Sequence, residues 1–240
     1  MKPARSKARQ VRYAVVGLGH IAQAAVLPAF AGARKNSKLV ALVSGDPVKH
    51  RALCKKYKIE RAYSYQEYED CLRNEQVDAV YIALPNHMHR EYAVKAAKMG
   101  VHVLCEKPLA VTEQDCRAMI ETARENRVRL MTAYRLHFEK ANLCAIDILK
   151  SGKIGEPKLF DSVFTLQVRP GDIRVQKNLG GGTLYDIGIY CINAARYLFR
   201  AEPYEVMAFT SKSSDPRFSE VEESSSVLLR FPGARLASFT

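Results

Sequence analysis

The sequence predicts an α/β protein: a doubly wound parallel sheet over residues 1–133, then a second, open-sheet α+β domain over residues 134–240. Two observations predict the first part. Short apolar runs alternate with helical spacing from Val11 to Ala133, as parallel strands joined by crossover helices require. Those runs stop at Gly, Ser, Pro or Asn, residues that turn a chain out of a buried strand. The second part rests on a change of pattern after Ala133, where runs lengthen and alternate apolar with polar.

In chain order, residues 11–16 form the first strand, broken at Gly17-Leu18-Gly19-His20-Ile21-Ala22, and a helix runs to about Ala33. Leu39–Val43 is the second strand. It ends at Ser44-Gly45-Asp46-Pro47, and a helix follows through about Tyr57. Ala62-Tyr63 is a short third strand with a helix near 66–74, and 77–84 is a fourth, stopped by Pro85-Asn86. His89 to Met99 has helical spacing, with Gly100 placed to cap it. Val101–Cys105 is the fifth strand. Thr112-x-x-Asp115 opens the next helix in a cap-like pattern, and 128–133 is the sixth strand. Beyond that, 136–150 is expected as one amphipathic helix and 158–168 as one long strand. A polar irregular stretch covers 169–178, and Gly180-Gly181-Gly182 leads into a helix from about Thr183 to Phe199. Strand-like runs near 204–212, 221–231 and 234–240 complete the chain, and there is no internal repeat.

Composition narrows the function classes. Hydrophobic content of 48% with 26% charged residues is ordinary for a globular domain, and no apolar run approaches the ~18 residues of a membrane span. Lys2, Arg5, Lys7, Arg9 and Arg12 crowd the start without the apolar stretch of an export signal. Cys54, Cys71, Cys105, Cys116, Cys144 and Cys191 show no C-x-x-C pair, so reduced, mostly buried thiols and a cytoplasmic protein are expected. The net charge of +12 is scattered along the helices, without aromatic or groove-reading motifs; nucleic acid is not the expected partner. A basic surface also suits an anionic, phosphorylated cofactor.

Gly17-x-Gly19-x-x-Ala22 follows a strand and opens a helix. The first Gly permits a tight turn, the second lets backbone approach a pyrophosphate, and Ala22 takes the close helix–strand contact. His20 and Ile21 lie at the helix start, where unpaired N–H groups attract phosphate. The end of the second strand selects the dinucleotide. An acid there would hold a ribose 2′-hydroxyl, but Ser44 and Gly45 stand in its place and leave room for a 2′-phosphate. Lys49 and His50 can bring charge to it, and Asp46 is compatible if it caps the next helix. NADP is therefore expected over NAD. Pro85-Asn86-x-x-His89 lies past the fourth strand, and its two histidines have no third ligand at metal-site spacing, so no metal is expected. Asp186 and Tyr190 stand four apart on an otherwise apolar helix, either as a structural pair or as ligand-facing groups.

Together with Glu106-Lys107-Pro108, Tyr134-Arg135 and Gly181-Gly182-x-Leu184-x-Asp186-Ile187-Gly188-x-Tyr190, these stretches resemble the Gfo/Idh/MocA family of nicotinamide-dependent oxidoreductases. Ser44-Gly45, Tyr134-Arg135-Leu136-His137-Phe138 and Tyr190, where many relatives have His, are most similar to the glucose–fructose oxidoreductase branch. The resemblance implies a Rossmann first domain. It also implies hydride transfer between NADP and a sugar or polyol, with Lys107, Asp186 and Tyr190 as the catalytic trio. Tyr190 would be the general acid/base, its ordinary pKa near 10 calling for a cation, which Lys107 supplies. Asp186 would hold sugar hydroxyls. Pro108 can place the Lys107–Pro108 bond in cis. Gly17, Gly19, His20, Ile21, Ser44, Gly45, Lys49, Pro85, Asn86, His89, Glu106, Lys107 and Arg135 are the expected cofactor contacts. The branch's long cofactor-burying arm has no counterpart here, which leaves its coupled sugar–sugar reaction in doubt. The alternative is a non-catalytic NADP-binding protein or subunit, which has no need of the trio. The family's second sheet continues past the position where this chain ends in strand-like alternation. The expectation is therefore a fragment of a longer protein, with an exposed sheet edge and homo-oligomerisation through that sheet.

Overall fold

Runs that are apolar on both faces belong inside a sheet covered on both sides, and the computed structural model, which describes residues 10–240, places them there. The basic residues Lys2, Arg5, Lys7 and Arg9 lie outside the described residues. β1 (Val11–Val16), β2 (Ser37–Val43), β3 (Ala62–Tyr63), β4 (Ala79–Ile82), β5 (His102–Cys105) and β6 (Leu130–Thr132) pair in the order β3-β2-β1-β4-β5-β6, all parallel. That order reverses between β1 and β4, so their carboxyl ends open a crevice where ligands bind in such sheets. Along β1, Ala14 and Val16 enter one core and Val15 the other, each fully buried. The crossovers are helical: turns over Ala22–Val26 and α1 (Leu27–Ala29), α2 (Pro47–Tyr57), α3 (Tyr68–Asn74), α4 (His89–Lys98) and α5 (Glu113–Glu125). The Ala22–Val26 turns are wide, π-type ones. Pro28, two residues past them, lacks the N–H that an α-helical ladder would need. Arg12 donates to the carbonyls of Glu75 and Gln76, fixing β1 to the turn before β4.

Contacts divide the chain between Ala133 and Tyr134 into two compact units. The second contains α6 (Lys140–Lys150), β7 (Leu159–Ser162), α7 (Ile189–Phe199), β8 (Glu205–Ser211), β9 (Ser224–Phe231) and β10 (Arg235–Phe239). Its sheet has the order β7-β10-β9-β8. Cys191, Ala195 and Phe199 of α7 pack on Val227, Leu229, Phe231, Ala237 and Phe239. The expected fold class, a doubly wound sheet followed by an α+β unit, is borne out.

Two local expectations are corrected. The helix expected over 136–150 is split into a tight turn over Arg135–Phe138 and α6, with Glu139 extended between them. Glu139 caps α6 by accepting from the Asn142 N–H at 3.0 Å, a cap that periodicity does not register. The strand expected over 158–168 is β7 alone, and beyond it the Phe164 N–H donates to the Thr240 carbonyl. The last strand is interior: β10 pairs in parallel with β7 and antiparallel with β9. The edges are β7 and β8.

Candidate active site

The turn after β1 is shaped by steric exclusion. Gly17 has φ +91°, and a Cβ there would stand 2.5 Å from the Ala83 carbonyl oxygen, so only glycine fits. The turn is held on both sides, by Gly17 N–H to Val43 O at 2.9 Å and Ala83 N–H to Val16 O at 2.8 Å. Gly19 differs: a Cβ there would meet nothing within 4 Å, so its backbone faces open space where a phosphate can approach. His20 and Ile21 are exposed beside it, while Ala22 is fully buried against the sheet. The residues present fit a dinucleotide.

At the end of β2, Ser44 is buried, and its hydroxyl accepts the Asp46 N–H at 3.2 Å. Gly45 is exposed next to it and has the Tyr65 ring as its neighbour. Room at this strand end therefore comes from Gly45, with Ser44 turned inward. Asp46 caps α2 by accepting from Val48 and Lys49 N–H groups. Its carboxyl is held below the usual range, first by the Lys49 N–H and also by the Lys49 ammonium 3.3 Å away. Lys49 thus reaches the expected strand end but is already paired with Asp46.

Pro85 and Asn86 leave the end of β4, with Asn86 opening a tight turn over Asn86–Met88. His89 does not belong with them as a cofactor contact. It is fully buried, with Nδ1 2.9 Å from the Pro108 carbonyl oxygen and Nε2 2.9 Å from that of Leu84. A side chain with no exposed surface and both ring nitrogens on backbone cannot touch a dinucleotide, nor ligate a metal. Burial pushes its pKa down, against the two carbonyls, which favour a protonated ring. Glu106 also faces inward. The Tyr81 hydroxyl donates to its carboxylate at 2.7 Å, and the Lys107 N–H lies 3.3 Å from the second oxygen. Lys107 is half-buried, and the Lys107–Pro108 peptide is cis, as expected. The ends of β1, β2, β4 and β5 thus bring Gly17, Gly19, Ser44, Gly45, Pro85, Asn86 and Lys107 to one edge of the sheet.

In the second unit, a wide helical turn over Leu184–Gly188 runs into α7 and carries Asp186 and then Tyr190. Arg174 Nε donates to Asp186 Oδ2 at 2.7 Å. Burial opposes the guanidinium charge, yet Asp186 and Asp172 outweigh it and raise the Arg174 pKa. Tyr190 stands edge-on to Tyr134, centroids 6.1 Å apart, and tilted against Phe164 at 5.7 Å. Arg135, next to Tyr134, is exposed at the start of its turn.

Two family models cover nearly the whole chain: the NAD-binding Rossmann fold of the Gfo/Idh/MocA oxidoreductase family over residues 11–134, and the family's C-terminal domain over 143–240. The chain belongs to the Gfo/Idh/MocA oxidoreductase family. Among its relatives, the aldose-aldose oxidoreductase of Caulobacter crescentus, solved with glycerol, is 41% identical with a TM-score of 0.91, over 96% of this chain and 70% of that one. An uncharacterized oxidoreductase of Rhizobium meliloti is 37% identical, over 95% of this chain and 67% of its own. The NADP(+) D-xylose 1-dehydrogenase of Haloarcula marismortui is 34% identical, over 93% of this chain and 64% of its own. The chain spans about two thirds of the length of the curated relatives it matches.

Against the family pattern, sequence reasoning missed Arg174 and Glu222. Arg174 lies in the irregular stretch, where no period links it to Asp186. Glu222 Oε1 accepts from the Thr183 N–H and hydroxyl and from the Leu184 N–H, at 2.6, 2.9 and 3.3 Å, capping the helix that bears Asp186. Neither pairing has a local signature. Each joins segments that only the fold brings together.

Proposed function

We propose that this chain carries the machinery of an NADP-dependent oxidoreductase that moves a hydride between the nicotinamide and a sugar or polyol. The reading rests on one observation above all: a half-buried Lys107 stands at the same sheet edge as a glycine turn that admits a dinucleotide, in a chain of an oxidoreductase family. The sugar-acting relatives support the substrate class, and the NADP(+) xylose dehydrogenase and the neutral Ser44-Gly45 strand end support the phosphorylated cofactor.

Bound nicotinamide supplies the hydride acceptor or donor. Gly17, Gly19, His20, Ile21, Ser44, Gly45, Pro85 and Asn86 hold the dinucleotide, with Arg135 a further candidate contact. In oxidation the carbinol carbon loses hydride and its hydroxyl loses a proton, which Tyr190 takes; in reduction Tyr190 returns it. Lys107 hydrogen-bonds the reacting oxygen and stabilises its developing charge. Asp186, held in one orientation by Arg174, accepts from neighbouring hydroxyls. Self-association through the second sheet and a cytoplasmic location belong to the same reading; among the described residues no helix is long and apolar enough to cross a membrane.

The test is cofactor titration followed by a panel of aldoses and polyols, read at the reduced-nicotinamide absorbance. Tight NADP binding with turnover of at least one sugar is expected. Cofactor binding with no turnover across the panel in either direction would favour a non-catalytic NADP-binding protein.

A further inference from the structure

We propose that His89 is a positioning residue for Lys107, its imidazole fixing the loop that carries the lysine against the strand end beside the dinucleotide turn. The inference rests on the proposed role of Lys107. A fully buried side chain between helix and sheet is ordinarily apolar, because a polar ring there must find partners for what it loses in leaving water. His89 lies between two, backbone carbonyl oxygens each 2.9 Å from a ring nitrogen, and the single N–H of its neutral ring donates to one of them. They belong to different loops. The Leu84 oxygen follows β4, and the residue before it, Ala83, is the one whose carbonyl makes glycine obligatory at position 17. The Pro108 oxygen is one residue past Lys107.

The sheet itself stops short of the lysine. Its last bond on this side is the Glu106 N–H to the Ile82 carbonyl at 2.9 Å, and Pro108 has no N–H to extend the ladder. His89 takes up the loop at that point. It carries a backbone chain from the dinucleotide turn, through Ala83 and Leu84, across its ring, to Pro108 and Lys107. A displacement of about 1 Å at a reacting group can cost about a hundredfold in rate, so such a tether acts on turnover before it acts on binding.

The experiment compares His89→Phe, which keeps a ring and loses its N–H donor, with His89→Gln, which keeps an N–H donor, in the full chain. Lys107→Met runs alongside. Melting, NADP dissociation constant, sugar KM and kcat per folded protein are measured on a sugar that the wild type turns over. The proposal expects kcat to fall at least about tenfold in His89→Phe and less in His89→Gln, with KM and cofactor affinity within about threefold. A lower melting point with kcat per folded protein unchanged overturns it. If Lys107→Met turns over normally, the reading of Lys107 fails and takes the proposal with it. If Lys107→Met is dead and His89→Phe is fully active, the proposal alone fails. Should neither His89 variant fold, ¹⁵N spectra of the wild-type ring decide. A ring N–H proton protected from exchange supports the tether, and exchange as fast as in an exposed histidine overturns it.

Discussion

Lys107 and Tyr190 carry the proton and charge chemistry in the proposed reaction, and positioned acid–base groups contribute about 10²–10⁴-fold. Lys107→Met and Tyr190→Phe are each expected to lower kcat by that order while NADP affinity changes less than about threefold. Stopped-flow turnover on a verified sugar checks this, and a variant that keeps a third or more of wild-type kcat removes that residue from its proposed role. The strand end after β2 makes a second prediction. An aspartate at position 44 can accept the same Asp46 N–H as the serine does, yet sets a charge near a 2′-phosphate. Unit charges 4 Å apart repel by about 1–4 kcal/mol between water and a surface dielectric. Ser44→Asp should therefore weaken NADP at least about fivefold and spare NAD, as paired titrations would show. A wild type that prefers NAD would end that reading. Gly17 was legible from spacing, because a φ of +91° with a carbonyl 2.5 Å away leaves one residue type. His89 was not: a histidine at a loop-to-helix junction looks the same in sequence whether it faces a cofactor or two carbonyls.

Helices and strands read most clearly where one local pattern decided them. Asp46 and Thr112 cap α2 and α5 by accepting N–H groups two or three residues on, a signal contained in four residues. The helix bearing Asp186 and Tyr190 starts differently, on the carboxylate of Glu222 from a distant segment. Glu222→Ala strips the first turn of that acceptor and is expected to cost about 1–2 kcal/mol, as lost caps do. Because Asp186 lies in that turn, sugar KM should rise before kcat falls. Denaturant melts with KM measurements test it, and an unchanged melt would show that the cap contributes nothing. β7 shows the opposite limit of pattern. Residues 158–168 alternate along their length, but a strand persists only where a neighbour supplies backbone partners, and here β10 supplies them over Leu159–Ser162.

Across the whole molecule, the edge of the second sheet is the feature that invites a partner. All residues of β8 are exposed, among them Val206, Met207 and Phe209 at 65, 61 and 72%. A flat apolar edge strand is a template for pairing. The chain is expected to associate with rising concentration, and Phe209→Lys to shift it toward monomer, as sedimentation velocity would show. A wild type that stays monomeric at all concentrations would leave this edge simply solvated. The amino-acid sequence alone determined the doubly wound sheet, because strands buried on both faces must be apolar throughout and their crossovers must be amphipathic. It also determined the glycine turn and the family, since those signals lie within a few consecutive residues. Tertiary structure alone decided that β10 is interior, that His89 lies between two carbonyls, and that Arg174 and Glu222 hold the Asp186 helix. These are choices among partners far apart in the chain, and an isolated side chain carries no record of which acceptor the fold will bring within 3 Å of it.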